Sequence, residues 1–488
     1  MFKKVLVANR GVIAVRIIRT LRDLEIPSLA VYEESDYGSL HVLLSDESAQ
    51  LPEAQHYTSE KQIIKIALKH GADAIHPGYG FMAESSRFAE ACHAANLTFL
   101  GPPAKALAAC SSKLEIMEQA EGFGMKVLPH SQKSFAPKCL AEISASAQKL
   151  GYPLHVKASA GSGMRASRLI NGPAELEAGV EIASREAQIT FEGEQVYLEK
   201  WLTKSRTIQL QFLIDKSGKM IVLGTVDVTM NKHNRRFLCE APAPGIELAP
   251  ELISSCEKLL KQIGYIGLGA FEFLLDQDGN YFFMELQARI QNEHSAIELL
   301  TRLDLVREQI KIIAGLPCTS EVKPTNGVTM QCRIYAEDLL RQSLPSPGVL
   351  RRFRLPGGPN VRVDAFAYGG CVIPERFDPL LSTIACWGET RHDCLVRMRR
   401  ALRDTAITGV KTNQARIQVL LQEGDFADGK YNHDTMLLPH KLSFSDKFDD
   451  KLAAIAAIAF CAKIQRSGLH KPERLSGGWH ASSRSFND

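Results

Sequence analysis

The segment from Gly269 to His294, GAFEFLLDQDGNYFFMELQARIQNEH, constrains this chain more than any other stretch. Two apolar runs flank Asp276-Gln277-Asp278-Gly279-Asn280, and Asp-Gly between such runs predicts a β-hairpin. A turn centred on Asp278-Gly279 places Glu272 opposite Glu285. Two carboxylates facing each other on one sheet face repel, so something must compensate, and a divalent cation with oxygen preference is the natural candidate. The pairing depends on register, since a bulge shifts it by one residue. If the chain stays extended past the hairpin, Glu285, Gln287, Arg289, Gln291 and Glu293 share one face, with Leu286, Ala288 and Ile290 on the other. A solvated edge strand gives the same alternation; the opposed carboxylates upstream favour a site.

The rest of the chain supplies a frame for that hairpin. At 488 residues it is long enough for two to four domains with well-buried cores. The first hundred residues alternate strand and helix patterns: strands at Lys4 to Ala8, Ser28 to Tyr32, Ala74 to His76 and Thr98 to Leu100, before Gly101-Pro102-Pro103. This predicts a parallel, Rossmann-like sheet. Gly11 lacks the GxGxxG spacing, which argues against NAD. From Ser111 to Pro324 helices alternate with paired strands, including Ile208 to Ile214 and Met220 to Val226, joined by Lys216-Ser217-Gly218. A strand-rich region follows, with runs at Met330 to Tyr335, Val349 to Arg354, Val361 to Ala365 and Thr383 to Trp387. Asp450 to Arg466 reads as an alanine-rich helix, and the last twenty or so residues as a flexible, Ser/Gly/His-rich end.

Lys157 ends an apolar run and leads into Ala158-Ser159-Ala160-Gly161-Ser162-Gly163. Small residues after a strand let backbone N–H groups approach a phosphate, and a lysine beside them neutralises charge. The loop has no Walker pattern, and a surface loop fits equally well. Glu199, at the end of another strand, has a carboxylate able to accept from an adenine amino group; a surface ion pair suits it as well.

Bulk properties exclude other classes. The net charge of +3 is too small to make nucleic acid or a membrane surface the main partner, and no apolar run approaches a membrane span. The start, MFKKVLVANRG, lacks the long apolar core of a signal peptide. Eleven scattered cysteines without a CxxC pair argue against structural zinc and point to reduced thiols and a cytoplasmic protein.

Six motifs then occur in a characteristic order: ANRG at Ala8 to Gly11, HPGYGF at His76 to Phe81, EAPAPG at Glu240 to Gly245, FEF at Phe271 to Phe273, ARIQNEH at Ala288 to His294 and GVKTN at Gly409 to Asn413. Together they resemble the biotin carboxylases over about residues 1 to 445. The resemblance implies an α/β chain of three-part ATP-grasp architecture: a Rossmann-like N-terminal domain (1–112), an ATP-grasp domain (113–324) with a mobile lid (about 130–203), a β-rich C-terminal domain (325–445), and a helical tail (446–488). It implies ATP-dependent carboxylation of biotin by bicarbonate. Lys113, Lys157, Gly163, Met164, Glu199, Lys200, Trp201, Leu202, Thr207, Asn231, Asn234 and Glu272 would hold ATP. Glu272, Glu285 and Gln287 would carry magnesium or manganese. Arg236, Arg289, Gln291 and Asn292 would hold bicarbonate. Arg289, Glu293 and Arg333 would be catalytic, Glu293 as the base for bicarbonate and Arg333 as the stabiliser of biotin's ureido oxygen.

Several positions depart from the family pattern. Met164 stands where the lid has glycine, Thr207 where a histidine lies beside the ATP ribose, and Asn231 and Asn234 where glutamine and histidine are usual. Arg236 replaces a lysine, Gln287 an asparagine, and Cys239 and Val12 replace acids. With no Met-Lys-Met to accept biotin, the resemblance implies a separate biotin carboxyl carrier protein, a carboxyltransferase and a homodimer, as in acetyl-CoA and other acyl-CoA carboxylases. Two further readings stay open on the sequence: a paralogue that keeps the fold as a nucleotide-binding or assembly partner, and a urea-type carboxylase module.

Overall fold

Strands and helices alternate through the first hundred residues, as the apolar runs predict. The computed structural model describes residues 1–52, 56–161, 166–191, 193–232, 235–318, 322, 326–436, 455 and 457–461. Five parallel strands form the first sheet in the order Glu47–Gln50, Ser28–Tyr32, Val5–Val7, Ala74–His76, Thr98–Phe99. The edge strand Glu47–Gln50 escapes sequence reading because its ESAQ run has no apolar alternation and lies largely exposed. The helix Gly11–Asp23 buries ten residues, some behind this sheet and some, such as Val12 and Val15, against the C-terminal region. Arg10, just before it, grips Asp36 with two bonds of 2.7 Å, and Tyr57 Oη donates to the same carboxylate at 2.7 Å. The Arg10 guanidinium also sits 4.1 Å from the Phe377 ring, fastening this sheet to the C-terminal part of the chain.

The second sheet runs through both the ATP-grasp region and the β-rich C-terminal region and joins them. Nine strands run Val361–Ala365, Leu380–Gly388, Val328–Tyr335, Leu238–Ala241, Met220–Asp227, Arg206–Ile214, Gly267–Leu275, Tyr281–Gln287 and Lys126–Val127. The strand Leu238–Ala241 joins the two halves, pairing with both Asp227 and the Val328–Tyr335 strand. Long-range pairing of this kind leaves no local signature. The predicted Val349 to Arg354 strand is broken into Gly348–Val349, paired with Val372–Ile373, and Arg352–Arg354, paired with Ala406–Thr408. The Arg206–Ile214 and Met220–Asp227 strands form the expected antiparallel pair, with one irregularity at Gln211/Phe212.

A third, three-stranded sheet places Leu154–Ala158 between Ser167–Ile170 and Val196–Lys200. The helices Leu140–Leu150 and Leu176–Phe191 cover it, and it has its own core of Ile143, Leu154, Val156, Val180, Val196 and Leu198. Met1–Leu438 form one compact unit and Pro439–Asp488 another; in the second, residues 455 and 457–461 are helical and exposed. The remainder of the predicted tail, including most of Asp450 to Arg466, lies outside the described residues. All eleven cysteines are free thiols, and among the described residues no helix is long and apolar enough to cross a membrane.

The apolar face of the hairpin holds the large sheet in place. Phe271 is fully buried, with ring centroids at 5.3 Å from Phe212 and 6.2 Å from Phe273 and Phe283. Phe271→Ala should destabilise the protein by about 3–5 kcal/mol in urea unfolding, whereas Ile189→Ala, at an 85% exposed side chain, should stay within about 0.5 kcal/mol. Equal, small shifts for both would remove the hairpin from the core.

Candidate active site

Glu272 and Glu285 do face each other, by a route the sequence does not show. Next to the turn the pairing runs Leu275 with Tyr281 and Phe273 with Phe283, one residue off the expected register. A bulge at Met284 then restores it, so that Glu272 meets Glu285 and Ala270 meets Gln287. The turn is closed by Asp276, whose N–H donates to the Asn280 carbonyl at 3.1 Å and whose carboxylate accepts from the Asn280 N–H at 2.8 Å.

The protein's own side chains compensate the two carboxylates. The Arg236 guanidinium donates to both Glu272 oxygens at 2.6 Å. The Gln287 amide donates to Glu272 at 2.8 Å and to Glu285 at 2.7 Å, and Gln209 adds a 3.3 Å bond to Glu272. Burial raises the Glu272 carboxyl above its ordinary pKa; Arg236 pulls it back and Glu285 pushes it further up. Two carboxylates and an amide oxygen are hard donors of the type magnesium and manganese take, so the residues fit such a cation once the Gln287 amide turns its oxygen inward. At 236 a single guanidinium nitrogen, Nη2, spans both carboxylate oxygens.

The two lysines arrive from different elements, a helix and a strand. Lys113 opens the helix Lys113–Gly122 and is buried; burial lowers its ammonium pKa, while Glu285 raises it and Lys157 lowers it further. Lys157 lies on the Leu154–Ala158 strand and ion-pairs with Glu199 on the neighbouring strand. Tyr197 Oη donates to the other Glu199 oxygen at 3.3 Å. Lys200 is turned to the chain's own backbone, donating to Gly151 O at 3.0 Å and Tyr152 O at 3.2 Å. Trp201 stacks on His155 at 4.5 Å, and Leu202 packs with Leu128, Leu274 and Met284. Thr207 Oγ1 meets His433 Nε2 at 2.9 Å, and Asn231 donates to Thr229 O at 3.1 Å. Lys157, Glu199, Lys200, Trp201, Thr207 and Asn231 line one cavity together with His155, Leu274, Met284 and His433. The Met284 bulge thus restores the carboxylate pair and gives the cavity an apolar wall. Gly163, Met164 and Asn234 lie outside the described residues.

Beyond Gln287 the chain does not stay extended, contrary to the period-two expectation. The strand ends there, and the Arg289 N–H bends back to the Gln287 carbonyl at 3.0 Å. The side chains converge all the same. Arg289 is held between Glu84 and Gln291, at 3.2 Å from each. Gln291 spends its amide on the carbonyls of Gln287 (3.3 Å) and Arg289 (2.8 Å), so it orients Arg289. The Asn292 backbone carbonyl accepts from Gln331 at 2.8 Å, while its side-chain Oδ1 is buried without a hydrogen-bond partner, an orphaned acceptor beside the expected bicarbonate position. Glu293 caps the helix His294–Thr301 and ion-pairs with Arg333, both buried. Burial works to raise the Glu293 carboxyl, but Arg333, then Arg236 and Arg289, outweigh it and hold the group below its ordinary value. Cys239 sits near Glu293 and Arg333, and burial first, then Glu293, pushes its thiol up, so it is uncharged. Glu293 is therefore the carboxylate partner of Arg333.

Three residues of the site are not foreseen from the sequence: Glu84, His155 and His433. Glu84 lies three residues beyond HPGYGF, and an acid so close to a recognised motif is the one signal that could have found it. The other two are brought in by tertiary contact alone.

Residues 1–107 match the family described as biotin carboxylase, N-terminal domain; residues 113–320 match the carbamoyl-phosphate synthase L chain, ATP binding domain; residues 331–439 match the biotin carboxylase C-terminal domain. The biotin carboxylase of Haemophilus influenzae is 37% identical over 439 residues, covering 88% of this chain and 97% of that protein. The mitochondrial methylcrotonoyl-CoA carboxylase subunit alpha of Oryza sativa subsp. japonica is 34% identical over 479 residues, covering 94% of this chain and 65% of that one. The biotin carboxylase domain of the Hydrogenobacter thermophilus 2-oxoglutarate carboxylase, solved as a dimer with MgADP, ADP and bicarbonate, superposes with a TM-score of 0.85 at 36% identity, over 90% of this chain and 97% of that chain. The chain belongs to the biotin carboxylase family and is an ATP-dependent ligase of three-part ATP-grasp architecture.

Proposed function

We propose that this chain carboxylates biotin held on a separate carrier protein, with ATP and bicarbonate as co-substrates, as the cytoplasmic, dimeric biotin carboxylase subunit of an acetyl-CoA or other acyl-CoA carboxylase. A partner carboxyltransferase then selects the final acceptor. The observation that carries the reading is the buried Glu293–Arg333 pair, set beside Arg236 and Arg289 and adjoining the Glu272–Glu285 carboxylates.

The chemistry accounts for the residue types. ATP's phosphates lie against Lys113 and Lys157, and its base end enters the cavity behind Glu199 and Trp201. A divalent cation at Glu272, Glu285 and Gln287 supplies charge neutralisation for γ-phosphoryl transfer. Bicarbonate becomes a usable nucleophile only when deprotonated, and Glu293 takes that proton. An anion seated among Arg236, Arg289 and Asn292 draws part of the cationic field away from Glu293, which raises its proton affinity at the moment it is needed. Arg333, released from Glu293 as that group becomes neutral, then faces the ureido oxygen of biotin and stabilises the negative charge that appears there. The short-lived carboxyphosphate is kept from water by the separate three-stranded subdomain that carries Lys157.

ADP release by the purified protein should rise only when bicarbonate and biotin are both present. Glu293→Gln should lower that rate by about 100- to 10,000-fold with the melting temperature retained. Biotin-independent ADP release, unaffected by the substitution, would sink the proposal. The pH profile gives a second check. Because Glu293 must be ionised to act, activity falls as pH drops through its pKa, and its depressed value puts that acid limb at low pH. Arg333→Gln removes the largest cationic influence, so the acid limb of the residual bicarbonate-dependent ATP cleavage should move to higher pH. An unmoved limb would mean that a different base is at work.

A further inference from the structure

Thr207 stands where the family resemblance expects a histidine beside the ribose of ATP, yet an imidazole is present at that place in the structure. It comes from His433, on the short helical turn His433–Met436, whose Nε2 lies 2.9 Å from Thr207 Oγ1 across 226 residues of sequence. The segment that delivers it is anchored. The His433 N–H donates to Ser205 O at 2.9 Å. Two residues earlier, Tyr431 stacks on Phe426 at 4.9 Å between ring centroids and lies 5.4 Å from the Arg206 guanidinium. The His433 ring is tilted against Trp201 at 6.2 Å, and Trp201 in turn stacks on His155 at 4.5 Å. His433, Trp201 and Thr207 line the same cavity as Lys157 and Glu199.

We propose that His433 is the nucleotide-positioning residue of this chain: seated on Thr207, its imidazole contacts the ribose and purine end of ATP in place of the histidine absent at position 207. This rests on the proposed assignment of the cavity to ATP. Burial, chiefly, lowers the pKa of His433, so the ring is neutral at neutral pH; with Nε2 on Thr207, its Nδ1 is left for the ligand, as donor or acceptor according to the tautomer. Such a ring matches a ribose hydroxyl or a purine nitrogen equally well, while Trp201 supplies a flat apolar face beside it. A threonine hydroxyl is short, and it fixes the orientation of an imidazole that reaches in from elsewhere, whereas a histidine at 207 would compete with His433 for the same volume.

The test separates the nucleoside end of the ligand from its phosphate end. The full chain is titrated calorimetrically with ATP and, separately, with inorganic tripolyphosphate. His433→Ala should weaken ATP about tenfold, the worth of one hydrogen bond, and leave tripolyphosphate within about twofold. His433→Gln, which keeps a polar end, should lose less, and Thr207→His in the His433→Ala background should recover part of the affinity. Equal weakening of both ligands would show that His433 only staples the segment, and overturns the proposal. Unchanged ATP affinity in His433→Ala, with ATP binding lost in Lys157→Ala, overturns it while leaving the cavity assigned to ATP. A wild-type chain that binds neither ligand overturns both.

Discussion

Two glutamates held face to face in a dry sheet are the constraint around which this molecule is arranged. Glu272 and Glu285 are both buried, and neither can remain ionised there unaided. Every nearby polar group answers that demand: Arg236 grips both oxygens of one carboxylate, Gln287 bridges the two, and Lys113 feels Glu285 as its strongest favourable charge. A structure of this kind is poised for a cation. A cation held by Glu272, Glu285 and the Gln287 oxygen would relieve the repulsion and leave Arg236 free to turn to substrate.

The same economy governs the base. Glu293 and Arg333 neutralise each other, and in the proposed reaction an anion and then a ureido group compete for the guanidinium. Cys239 beside the pair is an uncharged thiol and sets no second carboxylate against Arg333. Lys157 and Glu199 repeat the pattern at the proposed nucleotide end, where the ammonium and the carboxylate hold each other. Acid–base and binding groups thus face one another in complementary pairs, which keeps buried charges compensated at every stage. The arginine at 236 belongs to this scheme: its Nη2 donates to both Glu272 oxygens at 2.6 Å.

Local chemistry was readable from residues; convergence was not. The Asp-Gly turn and the apolar runs announced the hairpin, and the opposed glutamates followed, although the actual register reaches them through a bulge at Met284 that nothing in the sequence marks. The alternation past Gln287 does not describe the chain, which bends there; the same side chains converge through a turn. The HPGYGF, EAPAPG and ARIQNEH motifs carried the family. What stayed hidden depends on contacts far apart in sequence: Leu238–Ala241 welding two regions into one nine-stranded sheet, Glu84 reaching Arg289 across 205 residues, and His433 reaching Thr207. Polar edge strands such as Glu47–Gln50 were missed because periodicity reports burial, and that strand has little.

The central claim is that Glu293 and its arginines turn bicarbonate into a nucleophile toward the γ-phosphate of ATP. Bicarbonate labelled with oxygen-18 tests it directly, by mass spectrometry of the inorganic phosphate released during turnover with biotin. If bicarbonate attacks phosphorus, one of its oxygens stays on that phosphorus when carboxyphosphate breaks down, and the phosphate carries one labelled oxygen. Unlabelled phosphate would mean that water, and not bicarbonate, cleaves ATP in this site, and Glu293 could not then be the base that activates bicarbonate.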